Sequence, residues 1–295
     1  MPDPRSRAPL RRLLAAAVIV AAIAAPVLAA GEEALLPAPT LAALRHTRVL
    51  VVGGSGRNGS AIVEVLEAAG AHPRALTRDV AQARAKRGQH EWVQGDVTQP
   101  ATLDAAFRGV DVVIDAAATR DIEGPNGTEA VDREGVRHVV AAARRAGVKR
   151  ILLITGMAVA LPPAADGPPG MLKAFAAKRE SERILAAGGV PYVILRPTGI
   201  LDRPGGRFGV LLVDSADYHP TPEELRMRPG PPGEAERAPL PPPGTIALPD
   251  LARVAAFAAV DPSAVNRAFV VTQTQAPAAD DWAAQLARVP EGTGR

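Results

Sequence analysis

Residues 49–59, VLVVGGSGRNG, constrain this chain more than any other stretch. Four apolar β-formers, Val49, Leu50, Val51 and Val52, run into a cluster of glycines, and Ile62, Leu66 and Ala69 then recur at helical spacing. The pattern predicts a strand, a tight turn and a helix. The glycines fall as Gly53-x-x-Gly56-x-x-Gly59 with an extra Gly54. The first permits a sharp turn, the second a close approach of main chain to a pyrophosphate, and the third packing of the helix start on the strand. Unpaired N–H groups at the start of that helix, with the positive end of its dipole, suit phosphates. Gly53, Ser55, Gly56, Arg57, Asn58 and Gly59 are therefore candidate cofactor-binding residues, and a plain glycine-rich turn is the alternative.

Apolar runs and helical patterns alternate through the next 150 residues. Strands are expected at 49–52, 72–76, 91–94, 110–115, 150–154 and 192–196. Helices are expected at 101–107, 128–145, closing at Gly147, and 171–187; 79–87 reads as a polar helix or loop. Strands that are apolar throughout imply a parallel sheet covered on both faces. The fold class expected is α/β, a Rossmann-type doubly wound parallel sheet over 47–200, with 201–295 as a small C-terminal cap for the substrate. Within the cap, the proline-rich stretch 226–245 is expected to be an exposed mobile loop, followed by a helix at 250–260, a strand at 267–271 and a helix at 280–286.

Residues 1–30 have the layout of an export signal: arginines first, an apolar stretch at 13–30, and Ala29 and Ala30 suiting cleavage. The alternative is an uncleaved anchor, which would make 13–30 the only membrane contact. Residues 31–46 read as a linker or short lead-in helix. Export conflicts with the cytoplasmic supply of nicotinamide cofactors. A twin-arginine route for folded proteins resolves it, and Arg11-Arg12 is compatible with one; a cytoplasmic location is the alternative.

Composition excludes several classes. The net charge of +3 is carried by Arg5, Arg7, Arg11 and Arg12 against Asp3, so the rest is neutral, and aromatic residues make up 3%. Neither favours nucleic acid. There is no cysteine, and the five histidines, His46, His72, His90, His138 and His219, have no ligand spacing, so no metal is expected.

The end of the second strand bears on which dinucleotide binds. Arg78 follows the last loop glycine by roughly the 20 residues at which a ribose-binding group is expected. A guanidinium there can clamp a 2′-phosphate, with Arg57 adding a second positive group, so NADP is expected over NAD. Asp79 can serve the ribose in the NAD alternative.

With these residues the chain resembles the NmrA-like, atypical short-chain dehydrogenase/reductase proteins over about 47–272. The resemblance rests on VVGGSGRNG, on 75–79 (ALTRD), on 94–117 and 130–155, on Lys178-x-x-x-Glu182 and on 195–201 (LRPTGIL). It implies that Asp96 and Val97 flank the adenine, that Ala116 and Ala117 line the cofactor, and that Pro197 lies by the nicotinamide. It also implies Lys178 and Thr155 as catalytic positions. The superfamily's Tyr-x-x-x-Lys puts Ala174 where the proton-donating tyrosine belongs, and the only tyrosines are Tyr192 and Tyr218. Lys178 and Glu182, four apart, also fit an ordinary surface ion pair. Two functions follow as expectations: an NADPH-dependent reductase of an unidentified small molecule, or a non-catalytic NADP(H)-binding sensor or assembly protein.

Overall fold

The computed structural model describes residues 36–161, 167–221, 233–277 and 281–292. The expected export segment and the start of the proline-rich loop lie outside the described residues. The strands are β1 (Val49–Val52), β2 (Arg74–Thr77), β3 (Glu91–Gln94), β4 (Val112–Asp115), β5 (Arg150–Ile154), β6 (Tyr192–Pro197), β7 (Gly199–Leu201), β8 (Phe208–Asp214), β9 (Thr245–Ala247) and β10 (Arg267–Pro277). The helices are α1 (Ala38–Arg45), α2 (Arg57–Ala68), α3 (Val80–Arg87), α4 (Leu103–Phe107), α5 (Gly135–Ala146), α6 (Pro169–Ala186), α7 (Glu234–Arg237), α8 (Leu248–Val260) and α9 (Trp282–Leu286).

Eight strands form one sheet in the order β3-β2-β1-β4-β5-β6-β10-β8. All pairings are parallel except that of β8 with β10. This is the expected doubly wound Rossmann-type architecture. Alternation along each buried strand sends side chains to two cores. Val49, Val51, Ile114 and Leu152 pack with α1, α2 and α8, while Leu50, Val52, Val113 and Ile151 pack with α4 and α5. On α8, Leu251, Val254 and Phe257 are at most 2% exposed; each such burial contributes about 1.5–3 kcal/mol.

Several boundaries differ from the expected ones for local reasons. The strand expected from residue 72 starts at Arg74, after Pro73, which has no N–H for the ladder. The helix expected from 128 begins as a π-helical turn, Glu129–Glu134, before α5 takes over, and it closes at Gly147 in the left-handed region (φ 70°) as the glycine predicts. The lead-in segment forms α1, whose Leu44 is fully buried.

The C-terminal third departs further. No strand is expected between 197 and 267, yet β7, β8 and β9 form there, and the strand expected at 267–271 runs on to Pro277. β10 and β8 extend the main sheet, and β7 and β9 make a separate two-stranded sheet. Much of the stretch expected as a cap thus completes the Rossmann sheet. The outer edge of β8 is covered by Gln285 of α9, which accepts from the Leu212 N–H (2.8 Å) and donates to the Val210 carbonyl (3.2 Å). In the described part of the proline-rich stretch, Pro241 is buried and its carbonyl accepts from Gln275 Nε2, while Pro239, Leu240 and Pro243 are exposed.

Candidate functional site: a cleft at the carboxyl edge of the sheet

The strand order reverses between β1 and β4, since β1 leads outward to β2 on one side and β4 lies on the other. Such a switch point opens a crevice at the strand ends. A cleft of about 250 Å³ lies there, with walls that include Gly53, Ser55, Gly56, Arg78, Asp96, Val97, Ala116 and Ala117. The structure thus gathers eight of the twelve residues expected to touch a cofactor.

The loop geometry depends on its glycines. Gly53 has φ 73°, and a Cβ there would lie 2.9 Å from the Ala117 backbone; a Cβ on Gly59 would lie 2.2 Å from the Gly53 carbonyl oxygen. Gly56 is the N-cap of α2, and no side chain caps that helix. The first N–H groups of α2 therefore face the cleft end of β1 without a side-chain competitor, which suits an anion. These residues fit a dinucleotide pyrophosphate: the cradle is main chain at closest approach.

The other four expected residues are not part of the cleft wall. Arg57 Nε is 3.0 Å from Asp202 Oδ1 and its Nη2 donates to the Ile200 carbonyl at 3.1 Å. Asn58 and Gly59 are not part of the cleft wall, and Gly59 is instead buried under the Gly53 carbonyl. Pro197 ends β6 as a buried residue outside the wall. Sequence reasoning missed Thr77, whose hydroxyl pairs with Ser55 Oγ at 3.0 Å, and Asn126, whose Oδ1 accepts from Arg78 Nη1 at 3.1 Å. Thr77 is adjacent to Arg78 and was open to inference; Asn126 is brought there only by the fold.

Asp79 does not enter the wall. Its carboxylate accepts from the Gln82 N–H at 2.9 Å as the N-cap of α3. Asp96 lines the cleft while its Oδ1 accepts from the N–H and hydroxyl of Thr98, both at 2.8 Å.

The expected catalytic positions are not in the cleft wall and are engaged with buried carboxylates. Lys178 and Glu182 do not pair with one another as their spacing suggests. Lys178 Nζ donates to Asp132 Oδ1 at 2.6 Å, and Glu182 Oε2 accepts from Arg196 Nη2 at 2.6 Å. Thr155 donates its hydroxyl proton to Glu182 Oε1 at 2.6 Å. Both carboxylates are at most 3% exposed, so this is a buried ion network and not the surface pair that the helical spacing allows. Asp115, the last residue of β4, is 2% exposed, and burial pushes its carboxyl up to about 7. The Ala117 N–H it accepts and Lys178 act against that rise, and Asp132 adds to it. Among the described residues no group of three or more His, Asp or Glu is placed to hold a metal ion.

The sequence pattern of the NAD(P)H-binding family matches residues 53–221, more than half the chain. The chain belongs to that family. Its place is with the NmrA-like, atypical short-chain dehydrogenase/reductase group. Relatives include a photosystem II assembly factor, Ycf39, of Synechocystis sp. (29% identical over 60% of this chain and 52% of that protein) and the sanguinarine reductase of Eschscholzia californica (27% over 54% of this chain and 71% of that protein). The matched segment thus spans about half of the first relative's length. A putative NAD-dependent epimerase/dehydratase from Bacillus halodurans shares the fold, with a TM-score of 0.62 and 22% identity over 78% of this chain and 96% of that one. The family match supports binding of a nicotinamide cofactor.

Proposed function

We propose that this protein is an NADPH-dependent reductase of a small acceptor. The observation that carries the NADP preference is the division of labour after β2: Arg78 stands in the cleft wall, oriented by Asn126, while the neighbouring acid, Asp79, is spent on capping α3. A ribose 2′-phosphate there meets a guanidinium and the Ser55–Thr77 hydroxyl pair, and no carboxylate competes from that strand end. When bound, the reduced dinucleotide supplies hydride chemistry. The chain holds its pyrophosphate at the start of α2 and keeps Ala116 and Ala117 small where it lies. Among the relatives, the sanguinarine reductase fits this reading.

Calorimetric titration tests it. Arg78→Ala removes charge-assisted hydrogen bonds worth about 1.5–3 kcal/mol, so NADPH affinity is expected to fall roughly 10- to 100-fold with NADH affinity unchanged. Equal loss for both dinucleotides would remove the 2′-phosphate assignment. Oxidation of NADPH with quinones, flavins and aldehydes tests turnover.

The second reading, a non-catalytic NADP(H)-binding sensor or assembly protein, is favoured by one arrangement. Thr155 has its proton committed to Glu182, and Tyr192 is buried at the amino end of β6, far along the strand from the cleft edge. One relative is an assembly factor. A sensor must bind NADPH and NADP⁺ with different affinities, since equal affinity shifts no population. For residues 1–30 we propose export, checked by the mass of the mature chain recovered outside the cytoplasm.

A further inference from the structure

A buried set of charges lies directly behind the cleft wall. Asp115 ends β4 beside Val52 of β1, and the two residues after it, Ala116 and Ala117, are cleft wall. Asp132 follows Val131, which is also wall, and its side chain is 1% exposed. Its Oδ1 accepts from Lys178 Nζ at 2.6 Å, while its Oδ2 is buried without a hydrogen-bond partner among the described residues. Lys178 is the only member that reaches solvent, with 19% of its side chain exposed.

The charges do not balance. Two carboxylates and one ammonium leave a net negative charge out of water, which is costly unless a proton is taken up. With one proton on the carboxylate pair the trio is neutral, and the unpartnered Asp132 Oδ2 is an open acceptor or proton position. Asp132 also lies in the π-helical turn with which its helix begins, an irregularity common at functional sites.

We propose that Asp115, Asp132 and Lys178 form one proton-holding unit under the cleft, which supplies the proton taken up by the reduced acceptor in place of a tyrosine hydroxyl. This rests on the reductase reading. A bound reduced dinucleotide would supply a hydride to a carbon of the acceptor, and the electron pair displaced there would take a proton released from the ammonium of Lys178. The proton held by the carboxylate pair restores that ammonium, and solvent reloads the carboxylates. The surroundings of Asp115 are simple. Val52 and Leu153 flank it from β1 and β5 without charge; Asp132 comes from the π-helical turn and Lys178 from α6. The alternation of β4 puts Asp115 on the Val113 face, opposite α8 with its Asp250 and Arg253.

Carbon-13 NMR of aspartate carboxyls, followed from pH 4 to 9, reads the unit without any cofactor. One aspartate is expected to titrate near 7, as burial implies, to vanish in Asp115→Asn, to titrate lower in Asp132→Asn and higher in Lys178→Met. Every aspartate titrating below about pH 5 would overturn the proposal, and so would a midpoint near 7 unmoved by Asp132→Asn. Should Asp115→Asn fail to fold, the other two variants still decide. In turnover, the wild-type rate is expected to fall as pH rises through 7 and the Asp115→Asn rate to lose that break. NADPH binding without any turnover removes the reductase reading, and with it the proton's use, while the titration still decides whether the unit exists.

Discussion

Gly59→Ala tests the loop on which the cleft depends. The new Cβ would stand 2.2 Å from the Gly53 carbonyl oxygen, 2.8 Å from the Gly53 carbonyl carbon and 2.9 Å from Gly54 Cα. All three are backbone atoms, so no side chain can rotate away. Restoring ordinary contact, about 3.5 Å, requires roughly 1 Å of movement between α2 and the turn. Overpacking of that kind costs about 1–3 kcal/mol, which for a domain of this size is a Tm drop of roughly 2–12 °C. The larger effect falls on binding, because the moving atoms carry the N–H groups aimed at the pyrophosphate. Losing one hydrogen bond to the charged pyrophosphate costs about 1.5–3 kcal/mol, or roughly 10- to 100-fold in affinity. A graded series separates this cause from general damage. Gly56→Ala meets the Gly53 oxygen at 3.1 Å and is expected to be milder, and Gly156→Ala, with its nearest neighbour 4.0 Å away, is expected to be neutral. Calorimetry with NADPH and thermal unfolding by circular dichroism give the two readouts. Wild-type affinity and Tm in Gly59→Ala would refute the steric argument and with it the assignment of the cradle.

Other outcomes follow from single contacts. Asp79→Ala removes the N-cap of α3 and is expected to cost about 1 kcal/mol in denaturant unfolding with the NADPH-to-NADH preference intact; a change in that preference would return Asp79 to the ribose. Arg150→Met strips the Ala258, Ala259 and Asp261 carbonyls of the Nη1 donor, 2.8–3.1 Å away, at the end of α8, and is expected to cost about 2–3 kcal/mol in the same assay. Glu182→Ala strands Arg196, which is 8% exposed, and is expected to cost about 3–5 kcal/mol; a near-neutral result would mean that Arg196 finds another buried partner.

What is local in the chain was legible in its letters. Residues 49–59 are contiguous, and the steric rules for glycine act over a few bonds, so strand, turn and helix start follow from the order of residue types alone. Arg78 was legible for a related reason: α2 leads straight into β2, and counting residues from the loop locates the strand end. The continuous apolar runs named the sheet as parallel and buried because two covered faces leave no room for alternation.

Partners chosen across the fold were not legible. Arg57 stands in the glycine loop yet pairs with Asp202, 145 residues away, and Lys178 passes over Glu182 for Asp132, 46 residues before it. A long charged side chain reaches whatever its helix is stacked against, and a buried carboxylate must be met by a cation or a proton wherever the chain brings one. Helical spacing offers only neighbours on the same helix. The same reason hid β8: an edge strand acquires its role from β10, which joins the sheet only after α8 has crossed back over it.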